Sequence, residues 1–229
     1  MYHAIGSPAL GDELGLFSLT PPLFKSQIDH LATCYREQTC AFEPDLVLSN
    51  KSLQLAITFD DGYLDNLTVA APLLVDRNLP FTVFVTSDHV RNGHKGFLDP
   101  VSLRELAALP GVNVGAHGAS HRQLTECDDQ ALKTELSSSR MYLEDVIGRP
   151  VVTMSYPHGA VDQRVCNATA DAGYGMAACS YADINGPGRD PLLLARTEVL
   201  AGDNLRIFRQ KLKGNWDWYR WRTADPARS

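Results

Sequence analysis

Short apolar runs alternate with amphipathic stretches along the whole chain. Runs rich in β-forming residues at 1–5, 54–59, 81–86, 112–116, 151–155, 174–178 and 193–199 predict seven strands. Between them, helical spacing predicts helices near 22–35, 64–77, 101–109, 127–147, 161–172 and 203–213. Several helix starts carry caps. Asp99-Pro100 precedes "VSLRELAAL", with Ser102 and Glu105 at capping-box spacing, and Asp128 and Asp129 open the longest helix. "RNLPFTVFVT" reads as a buried strand with no functional demand on it. Strands alternating with helices predict parallel β/α units in a single domain over 1–229. Seven strands suit a barrel or a doubly wound sheet, and periodicity does not choose between them. In both, chemistry is expected at the C-terminal edges of the strands.

The motifs at those edges give the pattern a chemical meaning. "AITFDDGYLDN" (56–66) delivers two adjacent aspartates and a glycine after an apolar run. A helix cap needs only one acid, and two neighbouring carboxylates repel. "NVGAHGASHRQLTE" (113–126) ends a second strand with His117 and His121 at i, i+4 spacing, flanked by Gly115 and Gly118. Two imidazoles and one carboxylate form a common hydrolytic metal set, with positions left for water and substrate. The second aspartate is then available to take a proton from the attacking water. "MSYPHGAVD" (154–162) follows a third apolar run, and Pro157 and Gly159 mark a sharp turn whose backbone N–H could serve an oxyanion.

Composition narrows the classes without adding chemistry. The 229 residues are 44% hydrophobic and 21% charged, ordinary values for a globular domain. A net charge of −6 without a dense Lys/Arg run argues against a nucleic-acid partner. No stretch is long and apolar enough to span a bilayer, and no signal peptide is visible at the start, so a cytoplasmic protein is expected. The odd set Cys34, Cys40, Cys127, Cys166 and Cys179, without a C-x-x-C pair, reads as free thiols or small hydrophobes.

In this order the three motifs resemble the polysaccharide deacetylases of the NodB-homology type, carbohydrate esterase family four. The first family motif, T-F-D-D-G, stands intact at Thr58–Gly62. The second, H-[S/T]-x-x-H, is His117 to His121 with Gly118 in the hydroxyl position. The third, R-x-P-[F/Y]-G, is partly present as Ser155-Tyr156-Pro157-His158-Gly159. "MYHAIG", "PPLFKSQIDHLATCY" and "LARTEV" resemble further segments of one branch, so the likeness covers nearly the whole chain. The resemblance implies a distorted (β/α)7 barrel and a metal-dependent hydrolase removing an N-acetyl group from an amino sugar. The setting it implies is surface polysaccharide or lipopolysaccharide biosynthesis, and the partner an N-acetylated sugar or glycan precursor. It implies Asp60 as general base and Asp61, His117 and His121 as ligands of one divalent ion, usually zinc, sometimes cobalt or nickel. The His158 N–H would be the oxyanion donor, with Tyr156 and Pro157 at the substrate.

Two departures follow. Ser155 stands where the family's arginine orients the base, and no segment matches the late motif that carries the general-acid histidine. The proton for the leaving amine is left to His158, to His3 at the end of the first strand, or to another group. A related hydrolase of a non-sugar C–N bond, and a metal- and sugar-binding homologue of low activity, are the alternatives. His89 and His94, in "SDHVRNGHKGF", are expected in a solvated loop. Trp216, Trp218, Tyr219 and Trp221 are expected to anchor the last helix onto the barrel.

Overall fold

The computed structural model describes residues 1–44, 53–215 and 226. The elements run β1 (Ala4–Ile5), β2 (Ser18–Leu19), α1 (Pro21–Cys34), β3 (Thr39–Cys40), β4 (Leu55–Phe59), α2 (Ala71–Val75), β5 (Phe81–Val85), α3 (Ser87–Arg91) and α4 (Pro100–Ala107). They continue with β6 (Val112–Ala116), α5 (Asp129–Ile147), β7 (Thr153–Ser155), α6 (Gln163–Asp171), β8 (Met176–Ala178) and α7 (Leu205–Lys211). The tail that holds Trp216, Trp218, Tyr219 and Trp221 lies outside the described residues.

Strands β3 to β8 form one parallel six-stranded sheet in sequence order, curled into a half-barrel. Its open side is bridged by irregular chain. Tyr2 pairs with Phe59 of β4, and Leu194 pairs with Ala178 of β8. Val199 N–H then donates to the Met1 carbonyl at 3.0 Å, so the first and last segments meet across the gap. The seven members of the ring are thus the two bridged segments and β4 to β8, a distorted barrel, while β3 pairs with the start of β4 at Leu55 and Ala56. β1 pairs with β2 outside the ring, and β2, β3 and α3 had no clear sequence signal.

Strand parity separates two cores. Phe81, Val83 and Val85 of β5 and Val112, Val114 and Ala116 of β6 face the helices, while Phe84 packs inside with Phe42, Met176, Ala178 and Leu194. Gly115 faces that interior beside Phe84. A Cβ on it would lie 2.4 Å from the Phe84 ring, so only glycine fits.

Helix positions mostly follow the pattern, with two differences. The stretch expected as one helix over 64–77 is a π turn, Asn66–Ala70, followed by the short α2. Pro72 lacks the N–H for an i→i−4 bond there, which breaks the ladder. The box of α4 sits one turn earlier than expected. Asp99 is the cap, accepting from Val101 and Ser102 N–H, and Ser102 answers the Asp99 N–H. At α5, Asp128 caps the Ala131 N–H and Gly148 ends the helix in a left-handed conformation.

Candidate active site

The sharp turns after β4, β6 and β7 bring the motif residues together at one sheet edge. Three of the four described non-glycine residues with positive φ lie there: Asp61 (φ 74°), His121 (φ 62°) and His158 (φ 57°). Such conformations cost free energy and persist where the surrounding structure enforces them, often at functional sites.

Asp61, His117 and His121 converge. Asp61 Oδ1 is 3.3 Å from His117 Nε2 and 3.2 Å from His121 Nε2. A tetrahedron with metal–ligand arms of about 2.0–2.1 Å has edges of roughly 3.3–3.4 Å. The two separations from Asp61 thus stand at the spacing of a zinc-like ligand face, and the three donor atoms, all within 4.8 Å of one another, form the candidate metal group among the described residues. The His117 tautomer fits as well. Its Nδ1–H donates to the Ser155 carbonyl at 2.8 Å, which makes Nε2 the ring nitrogen that faces Asp61. Burial would raise the Asp61 pKa, but hydrogen bonds from His117 and His121 hold it well below the usual carboxylate range. Burial opposes charge on His117 too, yet Asp60 and Asp61 raise its pKa above the ordinary imidazole value.

The histidine loop is pinned from α5. Glu135 Oε2 accepts from Ala119 N–H at 2.8 Å and Ser120 N–H at 2.9 Å, and Ser139 Oγ donates to the Gly118 carbonyl at 2.9 Å. Gly118 turns at φ +68°, and a Cβ there would press on Pro157 and the Glu135 carboxylate at 3.2 and 3.3 Å. That crowding accounts for glycine where the family motif carries a hydroxyl residue.

Asp60 is buried beside the triad, with Oδ2 4.0 Å from His117 Nε2. Its partner is Arg196, which no motif had singled out. Arg196 Nη1 donates to Asp60 Oδ1 and Nη2 to Oδ2, both at 2.7 Å. Ser155 Oγ donates to Asp60 Oδ2 at 3.0 Å and accepts from Arg196 Nη2 at 2.6 Å. Burial favours the neutral acid, but the Arg196 guanidinium and His117 outweigh it and hold Asp60 well below the usual range. A clue was available: Arg196 and Glu198 are the charged residues within the apolar stretch "LLLARTEVL". Glu135 had a weaker one, since it falls on the buried face of α5 with Leu132, Leu136 and Ser139.

The remaining expected residues are placed unequally. His158 is exposed, its Nε2–H donates to the His121 carbonyl at 3.1 Å, and the two rings lie 4.5 Å apart. Burial and His121 lower its pKa. Tyr156 is fully buried, with its OH donating to the Leu192 carbonyl at 2.8 Å. It has no face for a substrate, and the expectation of a substrate contact is corrected to one of packing. Pro157 is buried beneath Gly118, so its side chain too belongs to the support of the histidine loop. His3 packs its ring on Phe17 at 4.9 Å, and its buried Nδ1 has no partner among the described residues. His89 is not in a solvated loop. It is buried on α3 against Phe97 at 4.2 Å, while His94 beside it is exposed.

The polysaccharide deacetylase family matches residues 49–177, more than half of the chain. The chain belongs to the polysaccharide deacetylase family. The matched stretch contains Asp60, Asp61, His117, His121 and Ser155–Gly159, whereas His3 and Arg196 lie outside it. Among relatives, a putative polysaccharide deacetylase, YxkH, of Bacillus subtilis (strain 168) is 29% identical over 120 residues, 52% of this chain and 42% of that protein. A chitooligosaccharide deacetylase of Rhizobium leguminosarum bv. trifolii is 28% identical over 118 residues, 51% of this chain and 52% of that one. The alignments thus span about half the length of these relatives. Among solved structures, the deacetylase PplD of Streptococcus pyogenes, in complex with acetate, has the same fold, with a TM-score of 0.80 at 23% identity over 93% of this chain and 96% of that one. BC0361, a polysaccharide deacetylase from Bacillus cereus, superposes with a TM-score of 0.78 at 26% identity, covering 93% of this chain and 67% of that one. No helix of the described residues is long and apolar enough to cross a membrane.

Proposed function

We propose that this deacetylase-family chain is a metal-dependent hydrolase that removes an N-acetyl group from an amino sugar, acting on a precursor in surface polysaccharide or lipopolysaccharide biosynthesis. The observation that carries the reading is the meeting of Asp61, His117 and His121 at metal-ligand spacing with a second, separately held carboxylate, Asp60, beside them. Asp61 Oδ1 and the Nε2 atoms of His117 and His121 would hold one divalent ion, most simply Zn²⁺ for a set of two imidazoles and one carboxylate. When bound, such an ion polarises the acyl oxygen and makes water acidic enough to lose a proton near neutral pH.

The chain's own residues do the rest. Asp60, held ionised, takes the proton of the attacking water. The backbone N–H of His158, in the sharp turn after β7, donates to the oxyanion that develops on the acetyl carbonyl. The leaving amine needs a proton in return. His158 has Nε2–H engaged with the His121 carbonyl. His3 has a buried Nδ1 without a hydrogen-bond partner among the described residues, and it lies within electrostatic range of both Asp60 and Asp61. His3 is therefore the better supported donor.

The test is acetate release from a panel of N-acetylated mono- and oligosaccharides, with cyclic amides and formamides alongside, for the zinc-loaded wild type and Asp60→Asn. Acetate from the sugars alone, reduced about 10²–10⁴-fold in the variant, is expected. Turnover confined to the non-sugar amides would move the substrate class. Zinc and sugar binding without turnover would make the chain a binding homologue.

A further inference from the structure

Within the deacetylase reading, the chain lacks the arginine that its family resemblance expects at Ser155, yet the base it would serve is more tightly held than a bare serine could manage. All five N–H groups of Arg196 have acceptors. Nη1 reaches Asp60 Oδ1 at 2.7 Å and Thr58 Oγ1 at 3.3 Å. Nη2 reaches Asp60 Oδ2 at 2.7 Å and Ser155 Oγ at 2.6 Å, and Nε reaches the Cys179 carbonyl at 3.3 Å. The guanidinium lies 5.3 Å over the Phe84 ring. A guanidinium with no donor left over does not bind substrate; it fixes its neighbours.

What it fixes is the plane of one carboxylate. Two parallel N–H···O bonds to both oxygens of Asp60 stop its rotation in a way that a single point charge cannot. Ser155 completes the arrangement, since its hydroxyl bridges Asp60 and Arg196 while its carbonyl orients His117. We propose that Arg196 is the positioning residue of the general base, a guanidinium supplied by the segment that closes the barrel instead of by the turn after β7. Ser155 is its small counterpart. With Arg196 Nη2 at 2.6 Å from Ser155 Oγ, a second long cation at 155 has no room and would face the first charge directly. The arginine has changed its place in the sequence and kept its place at the carboxylate.

The test uses Arg196→Gln, Arg196→Lys, Asp60→Asn and the double variant Asp60→Asn/Arg196→Gln in the full chain. For Arg196→Gln we expect kcat to fall about 100-fold or more, with KM and zinc affinity within threefold of wild type. Lysine, which keeps the charge but not the fork, is expected to recover part of that loss. Because Arg196 acts through Asp60, the double variant is expected to be no slower than Asp60→Asn alone. A crystal structure of Arg196→Gln should show the Asp60 carboxylate turned from its wild-type plane. The inference is overturned if Arg196→Gln keeps kcat within threefold, if zinc affinity falls along with kcat, or if the two losses multiply. Should Arg196→Gln not fold, Arg196→Lys decides by the same kcat, KM and zinc criteria. Wild type that binds zinc but releases no acetate would end the deacetylase reading alone. The Asp60 orientation in the variant crystal would then still support or overturn the positioning role.

Discussion

Glu135 lies outside the Asp61–His117–His121 group, yet it holds the loop that carries both histidines. Its Oε2 accepts the N–H groups of Ala119 and Ser120 at 2.8 and 2.9 Å, and its Oε1 accepts from Ser120 Oγ at 2.5 Å. These residues lie between His117 and His121. Glu135→Ala removes every one of those acceptors and leaves two loop N–H groups to find others. At about 1–3 kcal/mol for each orphaned buried donor, the loss is about 3 kcal/mol once entering water offsets a share. In a chain of this size that is a fall in Tm of about 6–12 °C. Loosening the loop that aims two ligands should also weaken zinc binding about 10–100-fold. Glu135→Gln keeps one oxygen for both backbone donors and turns its amide to Ser120, so it should lose much less of both. Thermal melts of the apo protein and a competitive zinc titration measure the two effects. Glu135→Ala with Tm within about 2 °C and zinc affinity within threefold of wild type would refute the argument that this buried acid builds the site.

Other outcomes follow from named contacts. Gly115→Ala forces a Cβ to 2.4 Å from Phe84 and 2.8 Å from Thr153 Oγ1; overpacking of this kind costs about 1–3 kcal/mol, and Phe84→Leu in the same chain should restore much of the lost Tm. His89 is held neutral by burial, with His94 adding to the effect, and its pKa is pushed down to about 4 from 6.5. The unfolded chain protonates this group below about pH 6.5 and the folded chain does not, so its contribution to stability is full above pH 6.5 and lost as pH falls through about 4. His89→Phe, against the Phe97 ring, should therefore show a smaller drop in Tm between pH 6.5 and 4.5 than wild type; equal drops would contradict the assignment. His3→Gln should lower kcat for acetate release about 10²-fold or more while zinc affinity is kept, and His158→Gln should lower it less; the reverse order would make His158 the proton donor.

The sequence made the motifs and most elements legible, but not the links between them. "TFDDG" and "HGASH" each end a β-forming run, so strand parity and a glycine turn already place their side chains at one edge. The segment 193–199 reads as a strand by its apolar run, but it forms only the Ala178–Leu194 bridge, because it closes a distorted ring instead of extending a ladder. That irregular closure brings Arg196 to Asp60 across 136 positions of chain, a separation that no local pattern records. Tyr156 differs from its expected placement for the opposite reason. It follows a motif position, but its own alternation turns it into the core, where its OH finds the Leu192 carbonyl. The polar neighbours of His89 suggest a solvated loop, but the short helix that follows β5 packs it against Phe97.

The central claim is that Asp61, His117 and His121 hold one metal ion beside a base that is separately fixed. It is tested most directly by the anomalous scattering of a zinc-soaked crystal. One strong zinc peak is expected about 2.0–2.2 Å from Asp61 Oδ, His117 Nε2 and His121 Nε2, with Asp60 still forked on Arg196 and outside the coordination sphere. Zinc bound elsewhere with the three side chains splayed apart, or Asp60 drawn off Arg196 to become a ligand, would contradict it.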